Sequence, residues 1–144
     1  MPRVLSTPWS SYALFAGAAL LLVAVVLGVV AATSLLVERQ RLYALADATA
    51  IYVSESFDPS LVTREGPRSR APLSSAVVRT SALEFLARVG DEGVDSLRLE
   101  SAGTPDGWHA EVSLSSLWSP PVISYFFPDG LRIEVDSRAQ TFLP

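Results

Sequence analysis

The chain has 144 residues, a length suited to one small folded unit rather than two. Eleven basic against 15 acidic residues give a formal net charge of -4, which speaks against a polyanion-binding surface and so against nucleic acid as a partner. No cysteine is present and every basic side chain is arginine, which excludes disulfides, thiol nucleophiles, thiolate metal sites and lysine-based chemistry.

A tail of residues 1–11 carries one charged side chain, Arg3. From Val4 to Val37, 34 residues pass without a charge. About 20 apolar residues suffice to cross a bilayer core as a helix. The densest part, Tyr12 to Ala32, is mostly alanine, leucine and valine, interrupted by Gly17 and Gly28. Residues 12–37 are therefore expected to form a transmembrane helix in contact with membrane lipid. A core helix is the weaker alternative, because about 110 residues remain to cover an element that is apolar all round. A cleaved signal peptide, cut near Val29-Val30-Ala31, is a second rival. Its apolar core would be roughly 7–15 residues long and preceded by several basic residues. Charge gives little orientation: Arg3 precedes the span, and Arg39 and Arg41 follow it. Counted locally these place the C-terminal part in the cytoplasm, although long domains translocate largely regardless of such a bias.

Residues 38–57 continue the helix without a turn signal. No glycine or proline occurs between Val29 and Asp58, and Asp58-Pro59 then stops it, because a residue before proline resists the α conformation. Leu42, Leu45, Ala46, Thr49, Tyr52, Val53, Ser56 and Phe57 recur at helical spacing and form a stripe. Arg41, Ala44, Asp47, Ala48, Ile51 and Glu55 form a more mixed face. A single helix from Tyr12 to Phe57 would be roughly 69 Å long, less than half of it needed for the membrane. The rest is an amphipathic stalk whose stripe must lie against its own C-terminal domain or a partner helix. Leu42, Leu45, Thr49, Tyr52 and Val53 are the candidate partner-helix contacts, and Asp47 either pairs with an arginine on a neighbouring stalk or is solvated.

Residues 58–72, with three prolines and one glycine, read as an irregular exposed linker. Residues 73–144 read as a small α+β domain. Residues 74–89 are helical, with Ser74 or Ser75 as cap, Gly90 as exit, and Val78, Ala82, Phe85, Leu86 and Val89 on one face. Glu84 and Arg88 are spaced for an i, i+4 pair. Strands follow. Residues 94–101 alternate through Leu97 and Leu99. Trp108, Ala110, Val112 and Leu114 alternate with His109, Glu111, Ser113 and Ser115. Leu131, Ile133 and Val135 alternate with Arg132, Glu134 and Asp136. The expected fold is α+β: a long N-terminal transmembrane and amphipathic helix, one short helix, and an antiparallel sheet of about three strands covered by those helices, a pilin-like plan.

Catalytic, metal and cofactor chemistry is not evident. His109 is the only histidine. A hydrolase reading would join it to Glu111 and Ser113; the alternative is a solvent-facing polar strand. Phosphate-cradling loops and nucleophile elbows are missing, so the chain is read as a non-enzyme with no cofactor and no small-molecule substrate. Trp118, Tyr125, Phe126 and Phe127, near Pro120-Pro121, are the most apolar group outside the span. They form either a docking patch for a partner or the bilayer surface, or the cap of the sheet's core.

The stretch VERQRLYALADATAIYVSESFDP, directly after an apolar helix, resembles the TadE/TadG-like proteins of Flp/Tad (tight-adherence) pilus assembly. The similarity is to actinobacterial members with the pattern Arg-x-x-Leu-x-x-Leu-Ala-Asp-x-x-Ala, carried here by Arg39 or Arg41, Leu42, Leu45, Ala46, Asp47 and Ala50. ALEFLARVG, DGWHAEVSLSS, a proline pair and PDGLRIEVDSRAQ also fit. The resemblance implies a minor, pseudopilin-like membrane component of a type IV-related pilus or secretion apparatus. Its partners would be other Tad subunits and inner-membrane assembly proteins. Its N-terminus would be cytoplasmic and its head extracytoplasmic. Two features depart from the pattern: Ile51-Tyr52-Val53 replaces small residues, and the fifth residues after Gly17 and Gly28 are Leu22 and Thr33 rather than the glutamate of processed pilins. An assembly, priming or tip role fits better than bulk fibre. The alternative is a membrane-anchored extracytoplasmic binding module unrelated to pili.

Overall fold

The computed structural model describes residues 9–56, 63–65, 68–70, 72–90, 93–119, 124 and 128–140. Its first element, α1, is a single unbroken helix from Trp9 to Ser54, 46 residues long. Alanine, leucine and the absence of proline account for its continuity. It ends one turn before the expected Asp58-Pro59 stop. The final turn tightens: the Ser56 amide bonds to the Val53 carbonyl, while the Ser54 and Ser56 hydroxyls bond to the Ile51 and Tyr52 carbonyls. Serines at a helix end compete in this way for the carbonyls that would extend it.

Within the stretch expected to be an irregular linker, the structure instead places two short antiparallel strands, β1 (Thr63–Glu65) and β2 (Arg68–Arg70), paired Thr63 to Arg70 and Glu65 to Arg68. The Gly66-Pro67 pair between them was the available turn signal. The helix α2 follows at Ser75–Val89 and exits through Gly90, whose φ of 73° suits glycine. Ser74 occupies the cap position, but its side chain makes no capping bond. The Ser75 hydroxyl is used elsewhere: it accepts the Thr104 amide at 3.2 Å, tying the start of α2 to the sheet. Val78 and Ala82 are buried as expected, Phe85 and Leu86 are half-buried, and Val89 is exposed. Val89 is the last residue of α2.

The sheet has three strands, β3 (Arg98–Gly103), β4 (His109–Trp118) and β5 (Leu131–Gln140), in the order β3-β4-β5 and antiparallel throughout. β3 begins later than the hydrophobic pattern suggests and carries a bulge between Leu99 and Ser101. The extra residue, Glu100, changes the phase of the strand: Leu99 pairs with Leu114 and Ala102 with Val112, so the apolar residues on either side of the bulge share one face. β4 buries Ala110, Val112 and Leu114, and β5 buries Ile133 and Val135.

That face lies on the outer half of α1. Leu42, Ala46 and Ala50 join Val94, Val112, Leu114, Ile133 and Val135 in the main core cluster. Farther along the helix, Val53 joins Leu73, Val78, Ala82 and Ala110. Ala46 and Ala50 have no exposed surface, and their small side chains let the backbone of α1 approach the sheet closely. The fold is therefore α+β, a long apolar-to-amphipathic helix clasped over its outer half by one short helix and a three-stranded antiparallel sheet.

Leu42 is wholly buried at the centre of this contact. Leu42→Ala is expected to destabilise the head by about 2–5 kcal/mol through lost burial and a residual cavity. Ala46→Leu should cost about 1–3 kcal/mol by overpacking. Thermal unfolding of the full chain in detergent, followed by near-ultraviolet circular dichroism, checks both values.

Candidate functional site

Three regions can carry function: the inner half of α1, its outer half, and the end of the sheet farthest from the apolar run.

The inner half is bare. Every residue from Ser11 to Val26 is exposed, and none from Leu27 to Thr33 is buried. Phe15, Leu20, Leu21, Leu22, Val23, Val25 and Val26 each expose more than half of their surface. Apolar surface exposed to this extent is unfavourable in water. Among the described residues α1 is the one helix long and apolar enough to cross a membrane, and its most apolar stretch is wholly unburied. The architecture is a long apolar helix, consistent with a membrane anchor, leading into an α+β head.

The outer half is largely occupied by the chain itself. The five residues expected to meet a partner helix are placed as follows. Leu42, Thr49 and Val53 have no exposed surface. Leu45 packs beside the main core cluster. Tyr52 stacks on Phe85 of α2, with ring centroids 4.9 Å apart, and the Arg88 guanidinium lies 5.7 Å from its ring. The stripe thus meets the chain's own sheet and α2, and a partner helix would have to displace the head to reach it. The Thr49 hydroxyl is satisfied within the helix by the Leu45 carbonyl at 2.7 Å. Asp47, expected to face a neighbouring subunit or solvent, accepts a hydrogen bond from the Ser137 hydroxyl of β5 at 2.5 Å. Arg41 donates to the Gly93 carbonyl at 3.4 Å and so holds the connection between α2 and β3. The face left free carries Leu36, Tyr43, Ala44, Ala48 and Ile51.

Trp118 is half-buried against the core and donates its indole N–H to Ser34 Oγ at 3.3 Å. This residue packs beside the core and keeps part of its surface exposed. Tyr125, Phe126 and Phe127 lie outside the described residues. Beside Ser34, α1 lines a groove of about 370 Å³ running from Val29 to Arg41. Glu38 on its wall has one carboxylate oxygen buried and unpartnered, as has the Ser116 hydroxyl on the inner face of β4.

At the far end of the sheet the polar residues form a definite cluster. Asp106 Oδ1 accepts the backbone N–H groups of Trp108 and His109, each at 2.9 Å. Its Oδ2 lies 2.5 Å from His109 Nδ1 and 3.1 Å from Arg138 Nη2, and Arg138 Nη1 lies 3.4 Å from Glu111. The hydrogen bonds from the His109 and Trp108 amides, with the nearby imidazole, hold the Asp106 carboxyl well below the usual carboxylate range. The three residues of the hydrolase grouping, His109, Glu111 and Ser113, are each engaged with another partner. His109 pairs with Asp106, Glu111 with Arg138, and the Ser113 hydroxyl donates to Glu134 at 2.9 Å. Asp106 was not among the candidate residues, yet its signal was present: an aspartate followed by glycine in a turn accepts amides two or three residues on.

Ser113 and Ser115 were expected to face solvent, but both are buried. They lie on the central strand, beneath long side chains from its neighbours. Ser115 donates to Glu100 of β3 at 2.5 Å and accepts from Arg132 of β5 at 2.9 Å. The outer face is thus a laced polar surface, with the serines as its floor. The Glu84–Arg88 pair forms at 2.8 Å, but both side chains are largely exposed and its contribution is below about 1 kcal/mol. Among the described residues no group of three or more acidic or histidine side chains converges to hold a metal ion.

No family model, curated protein or solved structure matches the chain.

Because the folded-state value of Asp106 is depressed, its stabilisation is fully present above the ordinary aspartate range near about 3.9 and is lost as the pH falls below that range. Asp106→Asn should therefore lower the melting temperature of the head at pH 7 and flatten its decline between about pH 4 and pH 2. Melting curves of the two proteins across that range provide the check.

Proposed function

We propose that the chain is a single-pass membrane component of a Flp/Tad-type pilus assembly or secretion apparatus, pseudopilin-like, with its N-terminus in the cytoplasm and its head outside. The observation that carries this reading is the continuity of α1: one rod that is bare and apolar for half its length and clasped by an α+β head for the other half. The likeness of residues 37–59 to the TadE/TadG-like pattern adds the pilus context.

In this reading subunits associate through their helices. Because the amphipathic stripe is covered by the head, association runs through the bare half and the free face around Tyr43 and Ile51. Within lipid such contacts rest on close packing rather than on hydrophobic burial. The work is mechanical: the rod places a folded head at a fixed distance from the membrane and offers its lower half to neighbours. No group-transfer chemistry enters.

The burial of Leu42, Thr49 and Val53 on the chain's own head favours a second reading, a membrane-anchored extracytoplasmic binding module in which α1 is only a tether. A photo-reactive residue separates the two. At Val23 or Ile51 in native membranes, the pilus reading expects adducts with another membrane subunit, and at Leu42 it expects none between chains. Deletion of the gene should also abolish surface fibres. Normal fibres, together with no adduct from Val23 or Ile51, would leave the tethered module as the better account.

A further inference from the structure

The head meets α1 in a fixed register, and that register sets the height of every part of the sheet relative to the apolar run. Ala110, near the start of β4, packs in the cluster that contains Val53. Trp118, at the end of β4, bonds to Ser34. From Ser34 to Val53 the helix rises about 29 Å, and from Ala110 to Trp118 the strand advances about 26 Å. The two elements therefore run side by side and antiparallel over their shared length. The lower rim of the sheet is Trp118 and its cross-strand partner Leu131.

Ser34 lies inside the uncharged run that ends at Val37. The first charge beyond it, Glu38, is about 6 Å farther along the helix. Below Ser34, the helix from Ser11 to Thr33 supplies about 35 Å, against a hydrocarbon thickness of about 30 Å. The rim therefore falls at the boundary between the apolar and polar parts of the chain, with no hydrophilic neck to lift the head into water. Its residues suit that level. Trp118 is an amphipathic indole, the side chain enriched at membrane–water interfaces. Leu131 opens β5 with 58% of its surface exposed, and on the helix Leu36 and Val37 are 66% and 42% exposed. Gly130 closes the rim tightly: its φ is 64°, and a Cβ there would meet the Trp118 carbonyl oxygen at 3.0 Å. In water these exposed apolar side chains would be a cost; at a lipid surface they are satisfied.

We propose that this rim is a lipid-contacting surface. The head sits on the bilayer interface, with Trp118 at the headgroup level and Leu131 at the upper edge of the acyl region. This rests on the single-pass reading of α1 and goes beyond it, because an anchor alone requires no contact between the sheet and lipid. The docked rim fixes the tilt of the head and so holds the free face of the stalk at a constant height for any neighbour.

The absence of native cysteine allows single nitroxide labels on the full chain. Leu22→Cys, Leu131→Cys and Gln140→Cys would be labelled in separate proteins, each reconstituted in nanodiscs of phosphatidylcholine with phosphatidylglycerol. Collision with oxygen, which partitions into lipid, is compared with collision with a water-soluble nickel chelate. The expected order of the oxygen-to-nickel ratio is residue 22 highest, residue 131 intermediate and residue 140 lowest, with 131 at least several-fold above 140. A label at 131 indistinguishable from that at 140, with residue 22 still in lipid, overturns the rim contact and leaves the anchor standing. Residue 22 in water overturns both. A second measurement leaves the rim itself unaltered. In the double variant Trp9→Phe/Trp108→Phe, Trp118 is the remaining tryptophan, and lipid brominated near the headgroup should quench its fluorescence. Emission unchanged by brominated lipid contradicts the proposal.

Discussion

The contact between the outer half of α1 and the inner face of the sheet is the interaction on which the rest depends. A three-stranded sheet with one apolar face cannot bury that face by itself. An amphipathic helix in water gains most of its stability from packing rather than from intrinsic propensity. Each element supplies what the other lacks: Val112, Leu114, Ile133 and Val135 close over Leu42, Ala46 and Ala50, and α2 adds Val78 and Ala82 above Val53. With no cysteine in the chain, no covalent link stands in for this packing. The clasp also braces the outer half of α1 against the sheet and α2.

Most of that contact was legible in the residues. The stripe at helical spacing and the period-2 runs of β4 and β5 each report a face, and two apolar faces in a short chain must meet. The sequence was less informative where side chains from different strands decide the outcome. Nothing local in HAEVSLSSLW shows that Ser113 and Ser115 will be buried, because Glu100, Arg132 and Glu134 cover them from the flanking strands. The bulge at Glu100 was likewise hidden, since a change of phase is visible only against the partner strand. The stripe itself was ambiguous. Periodicity says that Leu42, Thr49 and Val53 need a cover, but not whether the cover is the same chain or another.

That distinction bears on function. With the stripe enclosed, the exposed apolar surfaces among the described residues include the bare half of α1, the face around Tyr43 and Ile51, the rim at Trp118 and Leu131, and Val77 and Leu83 of α2. The polar cluster of Asp106, His109, Arg138 and Glu111 lies at the opposite end, where it fastens the turn before β4 to β5. Its geometry is that of a brace: the Asp106 carboxylate is committed to two amides, an imidazole and a guanidinium.

The central claim is that α1 is a continuous rigid rod from the apolar region into the head. The most direct measurement is the distance between nitroxides at Val23 and Ala48, taken by pulsed double-resonance spectroscopy on the full chain in nanodiscs. An unbroken helix predicts one narrow distribution centred near about 38 Å, allowing for the label linkers. A broad distribution, or one centred well below that value, would mean that the helix bends or melts between its apolar run and the head, and would contradict the rigid rod.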